Sequence, residues 1–149
     1  MFDNDGVLVD TEPVFIQAAV EVATEAGLVI TADDYVRLTM IQGKSVYDDL
    51  GLPQEDIDAL REKRNVRYGE LLEGRDLVLP SVRETVAALS SRFRLAIVTS
   101  SLKCYFDVVH ASSGLLQHIE FVMTHEDFMK PKPDPEPYSR ALVRLGLEG

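Results

Sequence analysis

Cysteine is almost missing from this chain: Cys104 is the only one in 149 residues. No disulfide can form within the chain, which accords with a reducing, cytoplasmic setting. No apolar run approaches the roughly 20 residues that a membrane-spanning helix needs. The opening residues show no basic stretch followed by an apolar one, so a secretory signal is not expected. Positive charge is scarce too: 15 Lys and Arg stand against 25 Asp and Glu, for a net charge of −10. Such a chain repels nucleic acid and anionic membranes at long range, and neither is expected as a partner. A phosphate ligand would need positive potential built locally, from a few cations, backbone N–H groups and a metal. The three histidines, His110, His118 and His125, show no metal-ligand spacing and read as structural or surface residues. Repeats and low-complexity tracts are lacking, and no feature assigns an oligomeric state. What remains, 46% hydrophobic and 27% charged, is the composition of a soluble globular protein.

The pattern along the chain changes once. After Asp10-Thr11, an N-cap signal followed by Pro13, the residues Val14, Phe15, Ala18, Ala19, Val22, Ala23 and Ala26 recur at helical spacing up to Gly27. Thr31-x-x-Asp34 opens another helix. Ser45 would cap a short one, and Pro53 begins a longer one with Ile57, Leu60, Val66 and Leu71 on its buried side. From residue 78 onward helix and strand alternate. Ser81-Val82-Arg83-Glu84 reads as a capping box. Phe93 to Val98 is the best strand in the chain, ending at Thr99-Ser100-Ser101, and Ile119 to Met123 reads as a second strand. A helix follows Pro135 and stops at Gly146. Alternation of this kind is the signature of a parallel α/β sheet.

Three pieces carry chemistry. In Asp3-Asn4-Asp5-Gly6, a strand end would aim both aspartates into one pocket at the carboxyl edge of the sheet, where open α/β folds bind ligands. Paired carboxylates repel unless a cation or proton lies between them, and hard oxygen ligands suit Mg²⁺. The same four residues are equally good turn chemistry. Thr99, just past the strand, can bond a phosphate oxygen with help from N–H groups at the next helix start, or Thr99, Ser100 or Ser101 can simply cap that helix. The run Lys130-Pro131-Lys132-Pro133-Asp134-Pro135 is too proline-rich for helix or sheet. It is either a solvated linker or a rigid loop presenting a lysine to negative charge.

Taken in order, the three pieces resemble the haloacid dehalogenase-like (HAD) hydrolase superfamily, in the branch with a helical cap inserted after the first motif. Phe2-Asp3-Asn4-Asp5-Gly6-Val7-Leu8-Val9-Asp10-Thr11-Glu12-Pro13 matches that branch nearly residue for residue. Ile97-Val98-Thr99-Ser100-Ser101 matches its second motif, and Lys130-Pro131-x-Pro133-Asp134-Pro135 its third. The resemblance implies a Rossmann-like α/β core, residues 1–12 and 78–149, with an α-helical cap at 13–77. It implies that Asp3 is a nucleophile forming an aspartyl-phosphate and Asp5 the acid/base. Thr99 and the N–H groups of Asn4 and Ser100 would hold the phosphoryl oxygens. Lys130 would neutralise charge, and Mg²⁺ would bind Asp3 and the Asp5 carbonyl. Ser101 and Lys103 beside the second motif, and Gly43 and Lys44 on a cap loop, are candidates for the substrate's non-reacting end. The expected substrate is a small phosphorylated metabolite such as a phosphosugar. Haloacid dehalogenases of the same superfamily lack the second aspartate, so Asp5 favours a phosphatase or a β-phosphoglucomutase-like mutase. A non-catalytic module that binds a phosphorylated ligand or a protein is the competing class.

The family's fourth motif, a further metal carboxylate at the end of another strand, has no counterpart here. Glu148 lies too early to supply it. The expectation from sequence is a core incomplete at both chain ends, weakened Mg²⁺ affinity and low turnover.

Overall fold

The computed structural model describes residues 1–147; Glu148 lies outside them. It divides into two compact units: residues 1–11 with 74 onward, and residues 12–73. Leu77, assigned by sequence to the helical insert, falls in the first unit for a visible reason. Its carbonyl accepts the Asp10 N–H at 2.8 Å, Leu79 N–H donates to Leu8 O at 3.0 Å, and Val9 bridges Val78 antiparallel.

The first unit is α/β. Its elements are α4 (Val82–Ser90), β1 (Ala96–Val98), α5 (Lys103–His110), β2 (Phe121–Met123) and α6 (Glu136–Arg144). The strands pair in parallel, with Ala96 opposite Phe121 and Val98 opposite Met123. Phe2 adds a one-residue parallel bridge on the other side of β1: its N–H donates to Ala96 O and its carbonyl accepts from Val98 N–H, both at 2.9 Å. Asp3, Thr99 and the Lys-Pro loop therefore all leave the sheet at its carboxyl edge. Ala96, Val98, Phe121 and Met123 form one core with Phe128, Ala141 and Leu145 of the α6 region. Ile97, pointing the other way by strand alternation, is also fully buried, as expected of a parallel strand covered on both faces.

Both strands are shorter than the sequence suggests. Phe93 is exposed and precedes β1, and Ile119 ends a short 3₁₀ turn before β2. The capping box at Ser81-x-x-Glu84 does not form. Ser81 sits at φ 61°, ψ 4°, whereas a cap needs extended backbone, so its hydroxyl makes no bond to the helix N-terminus.

The second unit is helical: α1 (Glu12–Glu25), α2 (Ala32–Tyr35) running into a π-helical turn at Val36–Ile41, and α3 (Gln54–Leu72). The Thr31 capping box is present, with Asp34 N–H on the Thr31 hydroxyl at 3.1 Å and Thr31 N–H on the Asp34 carboxylate at 3.1 Å. The Thr31 hydroxyl and then Arg37 bond the Asp34 carboxylate and lower its pKa to about 2. Along α3 the buried stripe runs Ile57, Leu60, Tyr68, Leu72. Val66 is 61% exposed, because at about 100° per residue it falls on the side of the helix away from Leu60 and Tyr68. The Arg64 guanidinium lies 4.5 Å from the centre of the Phe15 ring within this unit.

Candidate active site

The first unit gathers the first, second and third motifs around Asp3 and Asp5. The backbone does not continue as a strand between the two aspartates. After Phe2 the chain turns: the Asn4 carbonyl accepts the N–H groups of Val7, Leu8 and Val9 at 3.2, 2.8 and 3.2 Å, and Gly6 takes φ 71°. A left-handed φ at that point is what the Gly in Asp-x-Asp-Gly provides. The turn, one of the two alternatives left open by the sequence, is present, and it leaves Asp3 beside Lys132 and Asp5 beside Thr99.

Asp3 is half-buried. Its Oδ1 accepts the Asn4 N–H at 2.8 Å and its Oδ2 accepts the Lys132 ammonium at 2.6 Å. That ammonium lies 3.4 Å from Val98 O, so it sits over the end of β1. Asp5 is surrounded by hydroxyls. Thr11 donates to its Oδ1 at 2.6 Å; Ser101 and Thr99 donate to its Oδ2 at 2.5 and 3.3 Å. Thr99 is fully buried, and its oxygen also accepts the Ser101 N–H at 3.0 Å.

One expected residue is replaced by its neighbour. Lys130 does not reach the carboxylates. Its side chain is 71% exposed and lies 3.9 Å from Asp134 Oδ2, while Lys132, at 19% exposure, is the lysine on Asp3. The cause is the loop's anchoring. The Glu136 carboxylate accepts the Met129 and Lys130 N–H groups at 3.0 and 2.9 Å, and these bonds hold it below the usual carboxylate pKa. With its backbone pinned there, Lys130 faces solvent and the chain delivers the second lysine inward.

The remaining candidates separate. Ser101 lies nearer the chemistry than expected, with its hydroxyl on Asp5 rather than free for a ligand. Ser100 is exposed on the turn. The Lys103 ammonium is held by Asp107 on its own helix at 2.6 Å, and that contact raises its pKa. Gly43 and Lys44 lie exposed in the helical unit, where Lys44 N–H donates to Leu38 O. Asn4, whose N–H was expected to hold phosphoryl oxygens, spends it on Asp3 and is itself only 1% exposed.

Thr11 and Lys132 reach Asp5 and Asp3 without a distinct signal in the sequence: Thr11 stands where a helix cap belongs, and Lys-Pro-Lys-Pro offers two registers. His110, which shows no ligand spacing in the sequence, also reaches this turn. That imidazole is buried against Asn4, with Nε2 2.8 Å from Asn4 Oδ1.

The oxygen-only donors near Asp3 suit a hard divalent cation: one carboxylate, the Asp5 main-chain carbonyl and water are a donor set Mg²⁺ accepts. Among the described residues, no group of three or more His, Cys, Asp or Glu side chains gathers to hold a metal ion.

The family model for haloacid dehalogenase-like hydrolases matches residues 1–149. The chain belongs to that family. A phosphorylated carbohydrates phosphatase from Thermotoga maritima is 30% identical over 156 residues, covering 99% of this chain and 70% of that protein. A phosphoglycolate phosphatase from Salmonella typhi is 25% identical over 171 residues, covering 98% of this chain and 68% of that protein. Among solved structures, the HAD-hydrolase YfnB from Bacillus subtilis, described as bound to magnesium, superposes with a TM-score of 0.69 at 19% identity, covering 96% of this chain and 71% of that one. The α/β fold with a helical insert is thus that of the HAD hydrolases. The family and its relatives named as phosphatases support the class phosphoric monoester hydrolase, one of the two chemistries, phosphatase or mutase, that Asp5 favoured. Among the described residues, no helix is long and apolar enough to cross a membrane.

Proposed function

We propose that this chain hydrolyses phosphate monoesters of small metabolites, phosphosugars among them, through an aspartyl-phosphate on Asp3 and with Mg²⁺ as cofactor. In this reading the α/β unit is the catalytic core and the helical unit is the cap. The observation that carries it is the division of labour between two aspartates separated by one residue. Asp3 is paired with an ammonium, and Asp5 is held on both oxygens by hydroxyl donors.

An Asp3 carboxylate oxygen attacks phosphorus, and the bond from phosphorus to the ester oxygen breaks. Asp5 gives its proton to that leaving oxygen. Asp5 then takes a proton from water as the water oxygen bonds to phosphorus, and the bond from Asp3 to phosphorus breaks, releasing phosphate and restoring the carboxylate. Lys132 stabilises the charge that develops between Asp3 and the transferring group. Thr11, Thr99 and Ser101 hold the Asp5 carboxyl group in one orientation, donating to it when it is ionised and turning one hydroxyl to accept when it carries the proton. Mg²⁺, held by Asp3 and the Asp5 carbonyl, would neutralise phosphoryl charge.

Acid quench after mixing with an aryl phosphate, followed by peptide mass spectrometry, tests this directly. A phosphoryl group is expected on the peptide carrying Asp3. It should depend on Mg²⁺, be absent in Asp3→Ala and accumulate in Asp5→Asn, where hydrolysis of the intermediate has lost its base. A label that persists in Asp3→Ala, or no label and no aryl phosphate hydrolysis at all, would sink the mechanism.

A further inference from the structure

The proposed chemistry leaves one buried ionisable group unused. His110, at the end of α5, is 4% exposed and lies 106 residues from its partner Asn4. It is not an isolated core histidine. Its Nε2 is 2.8 Å from Asn4 Oδ1, and its Nδ1 is 3.0 Å from the Ser113 hydroxyl. The Leu115 N–H donates to that same hydroxyl at 3.2 Å.

The directions of these bonds follow from what each atom can do. Asn4 Oδ1 can only accept, so His110 Nε2 carries the proton. A neutral imidazole then has Nδ1 as an acceptor, and the Ser113 hydroxyl, which also lies 3.4 Å from the His110 carbonyl, gives its one proton to the closer Nδ1. The Ser113 oxygen, having given its proton, takes the Leu115 N–H. Burial pushes the His110 imidazole down to about 4, with the Asp5 charge opposing, so it is neutral near pH 7 and this single pattern holds. The chain of bonds runs from the backbone at Leu115, through Ser113 and His110, to the side chain between the two aspartates.

Asn4 is a hub. Its carbonyl gathers the N–H groups of Val7, Leu8 and Val9, which sets the turn; its own N–H bonds the nucleophile candidate; and its side chain is buried. A buried amide oxygen without a partner has lost its hydrogen bond to water with nothing in return, so a donor is required at this place. A leucine would fill the same space but leave Asn4 Oδ1 unpaired.

We propose that His110, oriented by Ser113, is a positioning residue for the active-site turn: its Nε2–H fixes the Asn4 side chain and thereby the backbone that presents Asp3 and Asp5. The catalytic meaning of this rests on the phosphatase reading. The relay itself does not, and its test needs no turnover.

Two measurements on the ¹⁵N-labelled chain test it. Long-range imidazole spectra near pH 7 should find His110 neutral with the proton on Nε2. Amide hydrogen exchange should then be compared in His110→Leu and His110→Gln. In His110→Leu the Val7, Leu8 and Val9 amides should exchange about tenfold faster or more, while Ile97 and Val98 in β1 keep their protection. Gln, whose side-chain amide can donate to Asn4 Oδ1, should restore protection. An Nδ1–H tautomer, a protonated ring, uniform loss of protection across the unit, or an unaltered turn in His110→Leu would each overturn the proposal. Failure of Asp3 labelling with the tautomer and exchange results intact would overturn the phosphatase reading and leave the relay standing.

Discussion

Replacing Lys132 by Met should cost far more activity than replacing Lys130. The Lys132 ammonium lies 2.6 Å from Asp3 Oδ2, and the side chains are 19% and 39% exposed. Two unit charges about 3 Å apart interact by about 3–6 kcal/mol at an effective dielectric of about 20–40. Asp3 is partly solvated, which favours the lower end. Only the part of that interaction that strengthens in the transition state counts toward rate. If all of the lower end, about 3 kcal/mol, were realised in the transition state, the loss in kcat/KM would be roughly a hundredfold, which is the upper bound for Lys132→Met. Lys130 offers a contrast within the same loop: at 71% exposure and 3.9 Å from Asp134 it is a surface pair of about 0–1 kcal/mol. Lys130→Met should therefore leave kcat/KM within about twofold. Initial rates of aryl phosphate hydrolysis at saturating Mg²⁺, with circular dichroism to confirm folding, decide it. A large loss in Lys130→Met with Lys132→Met unaffected would refute the register and return the role to the first lysine.

Three further outcomes follow from the geometry. The imidazole of His110 titrates near 6.5 unfolded and about 4 folded, so between those values the unfolded chain binds more protons. Stability should be full above about pH 6.5 and fall as the pH drops toward 4, by at most about 2–3 kcal/mol, and urea denaturation of His110→Gln should lack this component. Ser81 holds a left-handed φ of 61° while exposed, so Ser81→Gly should raise stability by about 0.5–1 kcal/mol in the same assay, and a loss would mean its side chain has a partner worth more than the strain. A metal held by Asp3, the Asp5 carbonyl and water should bind this chain weakly, with half-saturation of activity at about millimolar Mg²⁺, and Asp3→Asn should weaken it further; micromolar binding would require another ligand.

Much of the fold was legible because periodicity survives in single residues. The α1 stripe Val14, Ala18, Ala19, Val22, Ala23 is buried as its spacing predicts, and Thr31-x-x-Asp34 forms its capping box. The failures share a cause. Ser81-x-x-Glu84 has the letters of a capping box, but the hydroxyl's reach depends on a backbone angle that the four letters do not determine. Val66 has the right chemistry and the wrong phase: six positions of about 100° from Leu60 put it on the opposite side of α3 from the buried stripe. The strand at Phe93–Val98 was overextended because an apolar run does not say where pairing starts, and only residues opposite Phe121–Met123 or Phe2 are paired.

The site was legible to a different depth at each motif, according to how much of its geometry is local. Asp3-Asn4-Asp5-Gly6 sets its own turn: the glycine and the Asn4 carbonyl close it within six residues. Thr99 follows β1 directly, so its place depends only on where that strand ends. The third motif has no such anchor. Lys-Pro-Lys-Pro repeats every two residues, and both lysines precede a proline, so spacing alone leaves two registers. What separates them is Glu136, whose carboxylate ties the Met129 and Lys130 N–H groups and turns the first lysine outward. That contact spans six and seven residues and is invisible to a motif that ends at Pro135. His110 lies further out still. Nothing near it in sequence points to Asn4, and its role becomes visible only when α5 folds back onto the turn.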